Sequence, residues 1–176
     1  LNPYLREHPR RRVVEDRFGA RFAVDTTDLI QRYLYLFGVC EPHLTGWLRR
    51  RLGPGDTFVD VGANIGVFTV LASRLVGGTG RVVAVEASHA LHERLLLHLR
   101  LNGCANVRAV NTAVADRRRK LTFVLASSQN TSANSIVPYD GPAESVLETE
   151  AVPLTELLTP RELSGARVIK IDVEGA

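Results

Sequence analysis

Two acidic residues and a turn of small residues stand where neighbouring strands of a parallel sheet would end. The apolar run Phe58–Val61 has the length of one buried strand and contains Asp60 near its end. The turn that follows reads G-A-N-x-G over residues 62–66, and the next apolar run ends on Glu86. Small residues let the backbone approach a ligand closely, because no Cβ stands in the way. This order of strand, tight turn and helix start predicts a cofactor site at the carboxyl end of the sheet.

The charges at the two strand ends favour one kind of cofactor. Glu86, at the tip of the second strand, can accept both hydroxyls of a ribose, and Asp60 can hold an ammonium group. S-adenosylmethionine carries an amino acid at one end and a riboside at the other, so it suits this arrangement. NAD suits it less well, because an acid beside a pyrophosphate would repel it and because the turn lacks the full G-x-G-x-x-G fingerprint.

A second group of ionisable residues lies on the last predicted strand, residues 168–174. Alternation along a strand puts Lys170, Asp172 and Glu174 on one face and three apolar residues on the other. Burying three ionisable groups is costly unless they pair or meet a ligand. One interpretation is a Lys–Asp ion pair at a wet sheet edge. The other is that Asp172 and Glu174 reach the carboxyl end of the strand, where ligands bind in such sheets.

The elements that position these residues follow from the apolar pattern and its punctuation. The predicted elements of the main domain are a strand from Thr57, a helix ending near Val76, a strand over Arg81–Glu86, a helix capped by Ser88 that carries Leu91, Leu95 and Leu99, strands over Val107–Val110 and Leu121–Leu125, and a short helix over Leu154–Leu158. Strands that alternate with helices predict an α/β fold, with helices on both faces of a parallel sheet.

Residues 1–52 are predicted to be an N-terminal extension, and residues 53–176 the main domain. We expect residues 1–12, which are polar and basic, to form a loosely held arm. Residues 13–24 are typical of two short strands around a turn near Gly19. Helices are predicted over Leu29–Leu36 and His43–Leu52, and residues 25–28 offer several caps for the first of them.

Composition excludes several classes of protein. The chain has 176 residues, a mean hydropathy near zero and 23% charged residues, which is typical of one globular domain with a substantial core. No apolar run reaches the ~18–20 residues of a membrane span. The basic clusters lack interleaved aromatic residues, so nucleic acid is not a predicted partner. The isolated thiols of Cys40 and Cys104 favour a reducing cytoplasm, and His89 and His92 have no third ligand that would predict a metal site.

Three stretches of the sequence resemble the FkbM-type methyltransferase family, within the Rossmann-like class I methyltransferases. They are FVDVGANIGVFTVLAS from Phe58, VVAVEAS from Val82 and VIKIDVEGA from Val168. The resemblance runs from about Asp28 to the last residue. It implies a Rossmann-like sheet, S-adenosyl-L-methionine as the cofactor and methyl transfer as the activity.

The resemblance also assigns further residues to the site. The element Phe37–Glu41 implies that Glu41 lies near the cofactor pocket; the alternative is an ordinary acid at a helix start. The end of the third strand is expected beside the adenine ring, and the polar residues 126–135 near the acceptor, unless they are only a mobile loop. The predicted cofactor-binding residues are Glu41, Asp60, Gly62, Ala63, Asn64, Gly66, Glu86, Ala87, Asn111, Ala113 and Asp172.

Class I methyltransferases have seven strands, and the fourth ends with this chain. The resemblance therefore implies that the C-terminal strands are missing from this chain. The lack of methionine indicates that the natural N-terminus is missing as well. A last strand without a neighbour would expose unpaired backbone groups, which predicts self-association through this edge.

The leading functional hypothesis is O-methylation of a hydroxyl on a small molecule, sugar or secondary metabolite. Such an enzyme aligns donor and acceptor and can deprotonate the hydroxyl. Asp172 and Glu174 are the first candidates for the base or for orienting the acceptor, and Lys170 is the third. The alternatives are an NAD(P)-linked oxidoreductase or epimerase, which would need a catalytic Tyr–Lys pair that the sequence does not offer, and a non-catalytic fragment that binds cofactor weakly or not at all.

Overall fold

A parallel sheet forms the centre of the molecule. The computed structural model describes residues 3–126 and 143–173. Numbered in chain order, the strands of this sheet are β3 (Thr57–Val61), β4 (Arg81–Glu86), β5 (Val107–Asn111) and β9 (Ala166–Ile171). They lie in the order β5-β4-β3-β9, and every neighbouring pair is parallel. The predicted α/β fold is confirmed.

Helical segments cover both faces of this sheet. They are α4 (Val67–Val76), α5 (His89–Leu101), α6 (Leu154–Leu157) and α7 (Pro160–Gly165). Because side chains alternate along a strand, Phe58 and Val82 pack on the α4 face, while Val59 and Val83 pack on the opposite face. Leu158, just after α6, covers this opposite face. Both faces of β3 and β4 are therefore buried and, apart from Asp60 and Glu86, apolar, as expected for inner parallel strands.

The N-terminal extension packs into the same core. Its elements are α1 (Pro3–Glu7), β1 (Arg11–Glu15), β2 (Arg21–Asp25), α2 (Leu29–Phe37) and α3 (Pro42–Arg51). β1 and β2 form the predicted antiparallel hairpin. Phe22 and Leu34 belong to one buried cluster with Ile65 and Leu95 of the main domain. The division at residue 52 stays a prediction, but the hydrophobic core crosses it.

One expectation for the N-terminus was wrong. The first residues, predicted to form a loose arm, include the short helix α1. The Thr26 hydroxyl donates a hydrogen bond to the Leu5 carbonyl at 2.9 Å, and the Leu5 side chain is buried. A single anchored leucine gives too little periodicity for the sequence to predict this helix.

A second sheet contains β6 (Ala113–Val114), β7 (Arg119–Ala126) and β8 (Ala143–Val152). β8 is antiparallel to β7 and parallel to β6. The sequence predicted only β7, because three glutamates within β8 lower its strand propensity. Of the polar stretch expected near the acceptor, residues 126–135, only the first residue lies within the described part of the chain.

β9 lies at the edge of the central sheet as far as the structure describes it. Its backbone pairs with β3, and Ile169 and Ile171 are 40% and 62% exposed. Val173, just beyond the strand, is 38% exposed. The predicted self-association through this edge stays a prediction, and so does the predicted absence of C-terminal strands.

Candidate functional site

The turn between β3 and α4 adopts a conformation that its sequence dictates. Gly62, Asn64 and Gly66 have φ angles of 76°, 51° and 89°, in the left-handed region that glycine and asparagine tolerate best. The backbone N–H groups of Gly62 and Ala63 both donate to the Val85 carbonyl, at 2.9 and 3.0 Å. The G-A-N-x-G turn is therefore fixed against the end of β4.

Gly62 also lies against the end of β9. A Cβ at this position would collide with the backbone carbonyl oxygen of Asp172. The Asp172 N–H donates to the Val61 carbonyl at 3.0 Å, which keeps the two segments together. Glycine is required here for close backbone packing as well as for its φ angle.

Glu86 closes the turn from the neighbouring strand. Its side chain is buried, and its two carboxylate oxygens accept hydrogen bonds from the backbone N–H groups of Asn64 (2.7 Å) and Ser88 (2.9 Å). Burial raises the pKa of Glu86 above its ordinary value, although these two donors oppose the shift. Because a carboxylate offers about four acceptor sites, both oxygens can still accept from a ligand.

Asp60 is placed differently from its predicted role. Its side chain is fully buried, and its carboxylate accepts hydrogen bonds from the Thr69 hydroxyl at 2.6 Å and from the Lys170 Nζ at 3.1 Å. Asp60 and Lys170 are Cα partners on adjacent strands. Since both partners of Asp60 come from the protein, the geometry does not favour a direct contact with a cofactor ammonium group.

Lys170 connects the turn to the end of β9. Its ammonium group donates to the Gly62 carbonyl at 3.2 Å and lies 3.5 Å from a carboxylate oxygen of Asp172. Burial disfavours its charged form, but the carboxylates of Asp60 and Asp172 outweigh burial and raise the pKa of Lys170 above its ordinary value. A raised pKa favours the protonated lysine, which makes Lys170 a weaker candidate for the base than Asp172 and leaves orientation of the acceptor as its predicted role.

These residues border one cleft of about 220 Å³. The predicted residues that line it are Glu41, Gly62, Ala63, Asn64, Glu86, Ala87, Ala113, Lys170 and Asp172. Three predicted cofactor-binding residues, Asp60, Gly66 and Asn111, do not line it. The amide of Asn111 instead donates to the carbonyls of Glu86 and Ala87, at 2.8 and 3.1 Å. The catalytic candidate Glu174 lies outside the described residues.

Sequence reasoning missed several residues around the cleft. Ile30 and Cys40 of the N-terminal extension line it. Burial raises the pKa of the Cys40 thiol to about 11, so this thiol stays protonated and is a poor nucleophile. Thr69 and His98 are buried polar residues that were also missed. Thr69 bonds to the Asp60 carboxylate, and His98 contacts the Ile65 carbonyl of the turn. The signal available for both was a polar residue on the apolar stripe of a predicted helix.

The sequence match to a known family is long. The family model described as the methyltransferase FkbM domain matches residues 60–176, more than half of the chain. The chain belongs to the FkbM methyltransferase family. FkbM methyltransferases use S-adenosylmethionine, and the residues at the cleft fit it: a carboxylate with free acceptor sites stands at the second strand tip, beside a turn of small residues that lines the cleft.

The FkbM chain is also similar to solved methyltransferase structures. M. jannaschii TYW2, solved with AdoMet, is 17% identical with a TM-score of 0.44, and the match covers 57% of this chain and 42% of that one. A SAM-dependent methyltransferase from Aquifex aeolicus is 22% identical with a TM-score of 0.38, over 53% and 46% of the two chains. A protein-L-isoaspartate O-methyltransferase is 22% identical with a TM-score of 0.39, over 60% and 28%. The chain thus spans less than half of each of these proteins, and no curated protein matches it significantly.

The described ranges, residues 3–126 and 143–173, lack two kinds of feature. No cluster of three or more potential metal ligands occurs there. None of the helices found there has the length and apolar character needed to cross a bilayer.

Proposed function

We propose that this FkbM-family chain transfers a methyl group from S-adenosylmethionine to a hydroxyl of a small-molecule acceptor. The observation that carries the proposal is the position of Asp172. Its carboxylate is 69% exposed, lines the cleft and stands at the carboxyl end of β9. S-adenosylmethionine supplies a methyl carbon that its sulfonium activates. Asp172 accepts the proton of the acceptor hydroxyl as the oxygen attacks this carbon.

The cofactor-binding roles follow from the lining of the cleft. Glu86 accepts hydrogen bonds from the ribose hydroxyls. It uses the carboxylate acceptor sites that the N–H groups of Asn64 and Ser88 leave free. Ala87 and Ala113 offer small apolar contacts to the adenine ring. The turn contacts the cofactor through Gly62, Ala63 and Asn64, which line the cleft.

Glu41 is our candidate for the ammonium group of the cofactor. Its side chain is exposed to the cleft, whereas Asp60 is enclosed by Thr69 and Lys170. Glu41 has a φ of 41° at the start of α3. A non-glycine residue in the left-handed region costs about 1–3 kcal/mol, and such strain is concentrated at functional sites. The strain and the position together favour a binding role over an ordinary helix-start acid.

Asp60 and Lys170 then act on the site indirectly. Lys170 holds the Gly62 carbonyl, and Asp60 holds Lys170. Two carboxylates, Asp60 and Asp172, flank one ammonium group, so the cluster is net negative. A net negative cluster at the cleft favours a cationic methyl donor over its neutral product.

Two measurements test this function. Isothermal titration should show that S-adenosylhomocysteine binds and that NAD does not. Incubation with methyl-labelled S-adenosylmethionine and a panel of hydroxylated small molecules, sugars and phenols should label at least one acceptor through an oxygen–methyl bond. Binding without transfer to any acceptor would favour the non-catalytic alternative, and label on nitrogen or carbon would contradict O-methylation.

Glu86→Ala should weaken S-adenosylhomocysteine binding by about 30- to 150-fold. Hydrogen bonds to a charged group are worth about 1.5–3 kcal/mol each, and the loss of two ribose contacts, partly replaced by water, corresponds to about 2–3 kcal/mol. Calorimetry measures the change. The matched control is Glu93→Ala, which removes an exposed acid from α5 and should leave affinity unchanged. Equal affinity of Glu86→Ala and wild type would remove Glu86 from the site.

Acidification gives an independent check of the same carboxylate. The ionised form is the stronger acceptor, so affinity should fall as pH drops through the raised pKa of Glu86, beginning above its ordinary 4.5. The effect of Glu86 on folding has the opposite sign, because burial favours its neutral form. Its contribution to the free energy of unfolding is fully present below pH 4.5 and is lost as pH rises through the raised pKa. Glu86→Gln should lack this decline in affinity. A decline that persists in Glu86→Gln would belong to another group.

A further inference from the structure

His98 is a fully buried ionisable residue on α5 that contacts two separate segments. Its Nδ1 lies 2.7 Å from the Ile65 carbonyl oxygen. Its Nε2 lies 3.1 Å from the backbone nitrogen of Ala23, which can donate to it, and 3.2 Å from the Ala23 carbonyl oxygen. The ring of Phe22 packs edge-on against the imidazole, with 5.1 Å between ring centroids.

These contacts fix which ring nitrogen carries the proton. Burial lowers the pKa of His98 below its ordinary value, so the ring is neutral near pH 7. A carbonyl oxygen faces each ring nitrogen, but the Ile65 oxygen is the nearer, at 2.7 Å against 3.2 Å, and the Ala23 oxygen already accepts from Arg94. We therefore assign the hydrogen to Nδ1, which donates it to Ile65. Nε2 is then free to accept from the Ala23 N–H. Each nitrogen therefore has a distinct task.

One of the two segments that His98 joins lines the cofactor cleft, and the other leads directly to residues that line it. Ile65 belongs to the G-A-N-x-G turn and itself lines the cleft. Ala23 belongs to β2, and the chain that follows β2 supplies Ile30, Cys40 and Glu41 to the cleft.

Arg94, one turn earlier on α5, also bonds to the N-terminal extension but makes no bond to the turn. Its guanidinium donates to the Ala23 carbonyl at 3.0 Å and to the Gln31 side-chain oxygen at 2.8 Å. Arg94 thus holds β2 and α2 against α5, while His98 adds the bond to the turn.

We propose that His98 is a positioning residue for the methyl donor: its Nδ1–H holds the cofactor turn through Ile65, while its Nε2 holds the N-terminal hairpin through Ala23. The proposal rests on the proposed binding of the donor in this cleft. It assigns α5 the task of setting the distance between the turn and the wall that carries Glu41. Of the two hydrogen bonds, the one from Nδ1 to the Ile65 carbonyl is the one on which affinity for the methyl donor depends.

Two substitutions separate the two bonds. His98→Asn keeps an amide N–H near the position of Nδ1 and removes the acceptor for Ala23. His98→Gln puts an amide oxygen near the position of Nε2 and removes the donor to Ile65. We expect His98→Gln to weaken S-adenosylhomocysteine binding about fivefold, the value of one hydrogen bond of about 1 kcal/mol, and His98→Asn to stay within about twofold of wild type.

Phe22→Leu is the control for a merely structural role. Phe22 packs against the same imidazole but makes no bond to the turn. This variant should lower the midpoint of thermal unfolding as much as the His98 variants do, with affinity within about twofold of wild type. Affinity that falls in proportion to thermal stability in all three variants would overturn the positioning role. So would wild-type affinity in His98→Gln.

A measurement on the wild-type protein tests the proposal even if His98→Gln does not fold. Nitrogen-15 NMR of the imidazole rings should show His98 protonated at Nδ1 and its signals shifted on saturation with S-adenosylhomocysteine, while those of His8, which is exposed and does not line the cleft, shift less. An unshifted His98 signal at saturation contradicts the proposal. If the wild type does not bind S-adenosylhomocysteine, the proposed function fails and the inference with it. If Glu86→Ala weakens binding and His98→Gln does not, only the inference fails.

Discussion

Replacing Asp172 with asparagine should slow methyl transfer by about 10²–10⁴-fold, the usual contribution of a positioned general base. Asparagine keeps the shape and one acceptor oxygen but cannot take a proton from the acceptor hydroxyl. Affinity for S-adenosylhomocysteine should change by less than about tenfold, because asparagine keeps an acceptor oxygen and so converts at most one charge-assisted contact into a neutral one, a difference of about 1 kcal/mol. Steady-state kinetics with labelled S-adenosylmethionine, alongside calorimetry, separate the two quantities.

Asp116→Asn is a closely matched control for this substitution. The side chains of Asp116 and Asp172 are both 69% exposed, and each lies near one cation, Arg119 at 3.7 Å and Lys170 at 3.5 Å. Asp116 does not line the cleft, so its variant should retain full activity. An unchanged turnover number in Asp172→Asn would exclude Asp172 as the base and shift attention to Glu174. A defect confined to affinity would make Asp172 a cofactor ligand only.

Gly62→Ala should cause the largest combined loss of stability and binding. Its φ of 76° costs an L-residue about 1–2 kcal/mol, and the collision with the Asp172 carbonyl adds an overpacking cost of about 1–3 kcal/mol. The turn or the end of β9 must shift, and a misplacement of about 1 Å can reduce function by 10²-fold. Denaturant unfolding should therefore show a loss of about 2–5 kcal/mol, with S-adenosylhomocysteine binding weakened by about 100-fold.

Gly103→Ala separates the cost of a positive φ angle from the cost of the steric collision with Asp172. Gly103 has a φ of 63°, and a Cβ there would meet no atom within 4 Å. This variant should lose about 1–2 kcal/mol of unfolding free energy and bind S-adenosylhomocysteine normally. If Gly62→Ala proves no less stable than Gly103→Ala, the close approach of Asp172 is not a constraint. The sequence alone predicts that a side chain at residue 62 would only block the ligand; the structure adds the contact with β9.

Local sequence patterns determined much of the main domain. The run Phe58–Val61, the left-handed glycines of the turn and the apolar helix that follows all depend on near neighbours in the chain. The helix caps are local too: the side chains of Asp28 and Ser88 accept from backbone N–H groups three residues later. Ser88 was predicted, and Asp28 is one of the several candidates that residues 25–28 offered. The carboxyl ends of parallel strands meet at one edge, so Glu86 could be placed beside the turn before its contacts were known.

Only the tertiary structure decided how the charged residues pair. Alternation predicted that Lys170 and Asp172 share a face, but not that Lys170 lies opposite Asp60, 110 residues away in the chain. This register pairs a predicted cofactor ligand, Asp60, with a predicted catalytic candidate, Lys170. His98 is a similar case, since its two contacts are with Ile65 and Ala23, 33 and 75 residues away. A side chain's face follows from its own strand or helix, whereas its partner depends on how distant segments pack, and this packing depends on the whole core.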